Sequence, residues 1–258
     1  MKIMRWLASA FSMYSKIPVP ALDFQEDDLS HSLIFFPLVG AVIGAAVFAI
    51  NCAAPFAALP AAARILLTLL APLAITGGFH AVGLMDTADA MNSYASKERK
   101  LEILKDPHIG AFAVISLIKW LLLYAAAVTV ILQSEAGGDR VTAVLGLTFV
   151  ISRCLSGLTS FLFRKARRSG MLYEETAKGR NGTVICLLVQ LLAACAAAVL
   201  LNMICGVAVI AAFALFTFYY KHKAYREFGG VTGDTAGYFL TAGEITAAVF
   251  LAAAVCFL

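Results

Sequence analysis

Three short stretches of this 258-residue chain gather residues able to handle phosphate and a divalent cation. The first is GGFHAVGLMDTADA, Gly77 to Ala90. Asp86 and Asp89 are three apart, so on a helix their carboxylates share one face, a turn apart. Two oxygen ligands so placed suit Mg²⁺, which takes one or two carboxylates and completes its shell with water and substrate phosphates. Gly77 and Gly78 allow close backbone approach to a substrate. A lone DxxD is equally the solvated face of an ordinary helix, and the apolar, glycine-rich flanks are what favour a site here. The second stretch is KERKLEILKDPHIGAF, Lys97 to Phe112. Its lysines and glutamates keep helical spacing as far as a stop at Asp106-Pro107. A basic surface helix accounts for Lys97 to Lys105. Asp106, His80 and His108 are the candidate acid–base groups, the two histidines alternatively metal ligands, with a packed, hydrogen-bonded histidine as the competing reading of either. The third stretch is FGGVTGDTAGYF, Phe228 to Phe239. Backbone N–H groups near a helix start can hold phosphate oxygens. Thr232 and Gly233 are therefore candidate substrate contacts and Asp234 a candidate metal ligand, although alone the stretch reads as a plain turn.

The elements that must position these residues are apolar. The chain is 61% hydrophobic and 14% charged, and its mean hydropathy is +0.86. Soluble domains carry about 25% charged residues. Seven apolar segments can be drawn, at about 33–52, 60–79, 109–132, 142–163, 183–202, 204–220 and 239–257. Each approaches the ~20 residues a helix needs to cross ~30 Å of hydrocarbon. The fifth and sixth nearly touch and must form a tight hairpin around Asn202. The expected fold is an all-α, polytopic bundle of about seven transmembrane helices, a single domain over 1–258 in a lipid bilayer, with 3–14 as a short interfacial helix. Residues 1–15 lack the apolar h-region and cleavage pattern of a signal peptide. Six cysteines without a CxxC pair read as small buried hydrophobes. A net charge of +4 and the lack of an arginine-rich stripe with interleaved aromatics exclude nucleic-acid binding.

Charge sets the orientation. Sixteen of the twenty lysines and arginines fall at the N-terminus and in the loops after the second, fourth and sixth segments. Only Arg64 and Arg140 lie in the alternate loops. Basic residues concentrate on the cytoplasmic side, so the N-terminus is expected inside and the C-terminus outside. Lys119 and Arg153 fall within spans, where a charge is costly and a functional candidate by default, with snorkelling or a structural pair as the alternative. Glu244 lies in the last span, where an unpaired carboxylate is expensive. All three polar stretches were located without reference to side, yet all land on the expected cytoplasmic face. Four carboxylates there (Asp86, Asp89, Asp106 and Asp234), with cations that include Lys105 and Arg153 as candidate substrate contacts, fit a polyphosphate with Mg²⁺. Phosphoryl transfer needs positioning and charge neutralisation more than covalent chemistry.

With these residues in view, the chain resembles the cobalamin synthase family, the adenosylcobinamide-GDP ribazoletransferases. The resemblance rests on FSMYSKIPVP, FFPLVGAVIG, GGFHAVGLMDTADA, LEILKDPHIGAFAVI, ISR at Arg153 and FGGVTGDTAGYF. It implies an Mg²⁺-dependent enzyme of the bacterial inner membrane that joins adenosylcobinamide-GDP to α-ribazole or α-ribazole 5′-phosphate and releases GMP. His80, Asp86 and Asp89 match the family's acidic motif, Asp106 its KD motif, and Thr232, Gly233 and Asp234 its last motif. Two positions depart from the pattern. Val82 stands where the family has the aspartate of His-x-Asp-Gly, and Pro107 stands where a serine follows the KD aspartate. On a helix, positions 82, 86 and 89 fall within roughly 60° of one another, so the chain is short of one of three aligned carboxylates and its turnover is expected to suffer. The competing readings are an impaired corrinoid-binding membrane protein, a transporter, or a CDP-alcohol phosphotransferase, whose DG-x-x-AR pattern is absent. The ribazole form, the lower-ligand base and the oligomeric state stay open at this level.

The charge alternation predicts that the 80–108, 164–182 and 221–238 segments face the cytoplasm. Single cysteines at Ser96 and Ser169 should stay unmodified by an impermeant thiol reagent in intact cells and react after permeabilisation. Labelling of either in intact cells would overturn the topology.

Overall fold

In lipid the backbone N–H and C=O groups find no partner but one another, so apolar runs of this kind must be helical. The computed structural model describes residues 2–20, 26–53, 58–134, 138–177 and 180–258, the side chains of residues 26, 27, 29 and 180 excepted. Lys178, one of the expected cytoplasmic cations, therefore lies outside the described residues. The helices are α1 (Lys2–Tyr14), α2 (Glu26–Ser32), α3 (Phe36–Cys52), α4 (Ala61–Thr76), α5 (Phe79–Asn92), α6 (Lys97–Ile103), α7 (Ala111–Gln133), α8 (Asp139–Leu162), α9 (Met171–Glu175), α10 (Arg180–Leu201), α11 (Met203–Phe228) and α12 (Gly233–Val255). Among the described residues there is no strand, only a parallel β-bridge between Lys165 and Val231. The protein is an all-α, multi-pass membrane bundle.

Among the described residues, five helices have the length and apolarity of a full span: α7, α8, α10, α11 and α12. Helix α4 joins them only if counted together with α5 across a 94° bend. The bend is made by Gly77 and Gly78, consecutive residues at φ +67° and +78°, a conformation that costs glycine nothing. At Gly77 a Cβ would also sit 2.4 Å from the Lys16 side chain. We read α5 as leaving the span along the membrane face. Helix α3 is 17 residues long and α4 is 16. At 1.5 Å per residue they rise only about 24–26 Å, so a crossing by either requires local thinning or snorkelling.

Burial separates the layers. In α8 and α12, 78% and 72% of the most apolar window is buried within the protein, against 28% in α7 and 17% in α10. The first two are the bundle axis and the others its lipid-facing wall. Lys119 is exposed on α7, as a snorkelling lysine would be. Helix α3 packs on α8 without intervening side chains: a Cβ on Gly44 would lie 2.4 Å from the Gly146 carbonyl oxygen, and one on Gly40 would lie 2.2 Å from that of Phe149. Asn202 is the only residue between α10 and α11, and its side chain caps α11 by accepting the Cys205 N–H at 3.0 Å. All six cysteines are free.

The hydropathy boundaries of the last two segments do not coincide with the helix ends. Helix α11 runs on through Lys221, Lys223 and Arg226 to Phe228, and α12 begins at Gly233, so most of the expected 221–238 loop is helix. Charge ends a membrane span but not a helix. The helices end where capping chemistry ends them: Gly229 at φ +79° closes α11, and a reciprocal Thr232–Thr235 capping box opens α12.

The α3–α8 contact makes a direct prediction. Gly44→Leu should destabilise the detergent-solubilised protein by about 1–3 kcal/mol through overpacking. Leu38→Ala, on the exposed side of the same helix, should stay within about 0.5 kcal/mol of the parent. Thermal unfolding followed by size-exclusion fluorescence reads both, and a Gly44→Leu protein of unchanged stability would contradict the packing.

Candidate active site

The polar stretches converge at one end of the bundle because three local contacts pull them together. The first is a close crossing of α5 and α12. A Cβ on Gly83 would lie 2.6 Å from the Asp234 carbonyl oxygen, and one on Gly237 would lie 3.1 Å from Gly83 Cα. The second is the β-bridge. Ala166 N donates to Val231 O and Val231 N to Arg164 O, both at 2.9 Å. It lays the basic segment after α8 against the 229–232 turn. Only glycine fits beside it, since a Cβ on Gly230 would sit 2.4 Å from Arg164 O. The third is the ion pair of Lys100 with Glu227 at 2.6 Å, which ties α6 to the end of α11.

A cleft of about 370 Å³ opens among these elements, and its lining includes His80, Val82, Lys165, Arg167, Gly233 and Asp234. Asp234 occupies the first turn of α12, where the helix dipole favours negative charge. Gly233 beside it has open space above its Cα. Thr232 is occupied as the N-cap: its Oγ1 accepts Thr235 N at 3.2 Å, and Thr235 Oγ1 accepts Thr232 N at 2.8 Å. Arg164 is held elsewhere, with Nε donating to Gly229 O at 2.8 Å and its guanidinium over the Tyr225 ring.

Asp86 and Asp89 do share a face of one helix, but they do different things. Asp89 accepts hydrogen bonds from Gly110 N at 2.6 Å and Ala113 N at 3.0 Å. It satisfies the orphan donors at the start of α7 from a neighbouring helix. Asp86 makes no such bond. Burial and then the charges of Asp234 and Asp89 push its carboxyl up to about 6. That is the signature of a carboxylate among carboxylates, and a cation would relieve it. Among the described residues no group of three His, Cys, Asp or Glu side chains is placed to hold a metal by itself. The donor set suits an ion held in part by substrate phosphate oxygens. Val82, a turn before Asp86, is 53% exposed and on the cleft wall.

The remaining sequence candidates separate. His80 is buried, packed between Tyr14, Phe36 and Phe79, and its Nε2 has no hydrogen-bond partner. Burial, then the Arg153 charge, holds its imidazole well below the usual histidine range, so it is neutral. Asp106 and Lys105 are exposed. The Asp106 carboxylate folds back on its own turn, accepting from His108 N at 3.0 Å and meeting His108 Nδ1 at 2.7 Å, and these bonds hold it below the usual range. Neither Asp106 nor Lys105 lines the cleft. Arg153 is 1% exposed and pairs with Glu244 at 2.5 Å, and Ser152 Oγ donates to the same oxygen at 2.7 Å. Its place is the bundle interior. Gly77 and Gly78 shape the α4–α5 bend.

The cleft also holds residues outside the sequence candidates. Lys165 and Arg167 belong to the basic 164–180 segment, which the charge pattern puts on the same side as the polar stretches without naming either residue for the site. Tyr14 sits in FSMYSKIPVP without a flagged role, and Glu175 carries no local signal at all. Both line the cleft.

Comparison with known proteins is consistent across the chain. Residues 6–252 match the family model described as cobalamin-5-phosphate synthase. The adenosylcobinamide-GDP ribazoletransferase of Lachnoclostridium phytofermentans is 39% identical over 249 residues, covering 95% of this chain and 93% of the relative. The enzyme of the same name from Pseudomonas syringae pv. syringae is 36% identical over 252 residues, covering 96% and 98%. That of Escherichia coli is 34% identical over 253 residues, covering 94% and 96%. No solved structure matches. A match of this extent, over nearly the whole chain, means that the protein belongs to the cobalamin-5-phosphate synthase family.

Proposed function

We propose that this chain transfers the adenosylcobinamide phosphate moiety of adenosylcobinamide-GDP to α-ribazole or α-ribazole 5′-phosphate, releasing GMP, at the cytoplasmic face of the bacterial inner membrane. Family membership and relatives that share the ribazoletransferase name support the reaction. The observation that carries it in the structure is the meeting of Asp234 and Arg167 in one cleft, with Asp86 beside them.

Asp86 and Asp234 would hold Mg²⁺, with Asp89 fixing α5 against α7. When bound, the ion would neutralise charge on the pyrophosphate oxygens. Arg167 and Lys165 line the cleft as cations for the departing GMP phosphate. Arg167 is oriented by donating through Nη2 to the Leu101 carbonyl. Gly233, with open space above its Cα at the start of α12, would let a phosphate oxygen approach the N–H groups of the first turn. The ribazole hydroxyl oxygen bonds to the cobinamide-side phosphorus as the bond from that phosphorus to the bridging oxygen breaks. Fixed charges and donors around that in-line exchange are the main source of acceleration.

The carboxylates make the first prediction. In detergent, with adenosylcobinamide-GDP, α-ribazole and Mg²⁺, the parent should release GMP. Asp86→Asn and Asp234→Asn should each lose at least about tenfold in rate, or about 1.4 kcal/mol, with a raised Mg²⁺ midpoint. Normal turnover and midpoints in properly inserted variants would remove the metal site. Val82 supports a second expectation, that this chain turns over slowly for want of a carboxylate on the cleft wall. Val82→Asp should raise the rate at low Mg²⁺ and lower the Mg²⁺ midpoint. Equal rates and midpoints in the two proteins would show that position 82 has no part in the site.

A further inference from the structure

Glu175 is 3% exposed, yet it lines the cleft together with Asp234 and Arg167. Neither the metal reading nor the phosphate reading uses it. Its Oε1 accepts a hydrogen bond from the hydroxyl of Tyr14, 161 residues away at the end of α1. A glutamate on a five-residue connecting helix could face water at no cost, whereas burying a carboxylate costs several kcal/mol unless it is partnered. One tyrosine donor is a sparse partner for a structural carboxylate, which leaves its second oxygen for something else.

The transfer also needs a group that takes the proton of the attacking hydroxyl. The sequence candidates are badly placed. Asp106 is exposed, off the cleft and bonded to His108. His80 lines the cleft, but its ring packs among Tyr14, Phe36 and Phe79, and its Nε2 is buried without a partner. We propose that Glu175, held in place by Tyr14, accepts the proton of the attacking ribazole hydroxyl. The assignment rests on the transferase reading. In that step the hydroxyl oxygen bonds to the phosphorus with the electron pair of its O–H bond. The proton passes to the Glu175 carboxylate. The bond from phosphorus to the bridging oxygen breaks, and its electron pair leaves with GMP. Tyr14 is a positioning residue, since its O–H fixes one carboxylate oxygen and leaves the other to the substrate.

Electrostatics agree with the geometry. Burial pushes the Glu175 carboxyl up to about 7, with Glu174 adding to the rise and the Tyr14 hydrogen bond opposing it. A base whose pKa lies near the working pH combines ionised fraction with proton affinity. Among the described residues, the ionisable groups on the elements packed around it include Tyr14 of α1, Asp28 and His31 of α2, His80 of α5, and Lys165 and Arg167 of the basic segment. Asp234 of α12 and Tyr173 and Glu174 of α9 itself belong with them. Asp28 is paired with Arg5, and His31 is stacked on Trp6.

The test is the pH profile of GMP release by the full-length protein in detergent at saturating Mg²⁺, which keeps the metal-site carboxylates from setting the profile. The base acts when ionised, so kcat should fall as the pH drops through about 7. Glu175→Gln keeps the shape and an acceptor for Tyr14. It should lose about 100-fold or more in kcat, with KM little changed and the acid limb gone. Tyr14→Phe removes the bond that lowers the Glu175 pKa and holds its carboxylate, so its acid limb should move to higher pH and its plateau kcat should fall. Glu175→Gln with the parent's kcat and acid limb would overturn the assignment and leave the transferase reading intact. If Glu175→Gln fails to give a monodisperse protein, Tyr14→Phe decides, and an unmoved limb counts against the assignment. A parent that releases no GMP would remove the transferase reading and the assignment with it.

Discussion

Two glycines that face each other across α5 and α12 set the distance on which the active end depends. With no Cβ at Gly83 or Gly237, the two backbones touch. A Cβ at Gly83 would force the facing backbone to shift, and one at Gly237 would make it give by a few tenths of an ångström. Charge coupling falls with distance, so Asp86 would then feel Asp234 less. The same crossing puts His80 and Val82 on the wall opposite the basic segment. Everything else at this end works to hold that crossing in register. Asp89 clamps α5 to the start of α7 through two backbone donors, and the Lys165–Val231 bridge holds the cations over the start of α12.

Deeper in the bundle the problem is reversed, because there the polar groups must be neutralised rather than offered. Arg153 and Glu244 are both buried, on the two most enclosed helices. A buried pair is weak evidence for stability, since desolvation offsets most of the attraction. Removing one partner is another matter, because the other is left as an uncompensated charge in lipid. The pair therefore locks α8 to α12 in one arrangement. Its charge also reaches His80 and helps keep that imidazole neutral. The interior and the cleft are coupled at this residue: a histidine that reads as an acid–base candidate is held in one protonation state by a charge of the scaffold.

The cleft divides its work by element type. Negative groups ride on long helices, Asp86 on α5 and Asp234 on α12, where backbone hydrogen bonding fixes them. Cations sit on an irregular segment held by the β-bridge and by a few side-chain contacts. Such segments admit local motion more readily than packed helices, which suits residues that must meet a large substrate and let a phosphate leave. Glu175 and Tyr14 lie between these extremes, on two elements far apart in the sequence joined by one hydrogen bond.

What the sequence determined by itself was everything that depends on composition or on spacing along one helix. Apolar runs of nearly twenty residues dictated the all-α membrane bundle, since a run of that length satisfies its backbone in lipid as a helix. The hairpin at Asn202 followed from two runs that nearly touch. The shared face of Asp86 and Asp89 followed from their spacing of three, and the motifs carried the family. Tertiary structure decided what each residue faces. Spacing could not show that Asp89 caps a neighbouring helix, that Asp106 turns onto His108 in solvent, or that Arg153 meets Glu244 ninety-one residues away. Nor could it bring Tyr14 to Glu175. Hydropathy misplaced the ends of α11 and α12 because it registers the membrane boundary, whereas a helix stops at its caps. Local patterns encode periodicity and solvent preference, but a site is assembled by contacts between distant segments, and those exist only once the helices have packed.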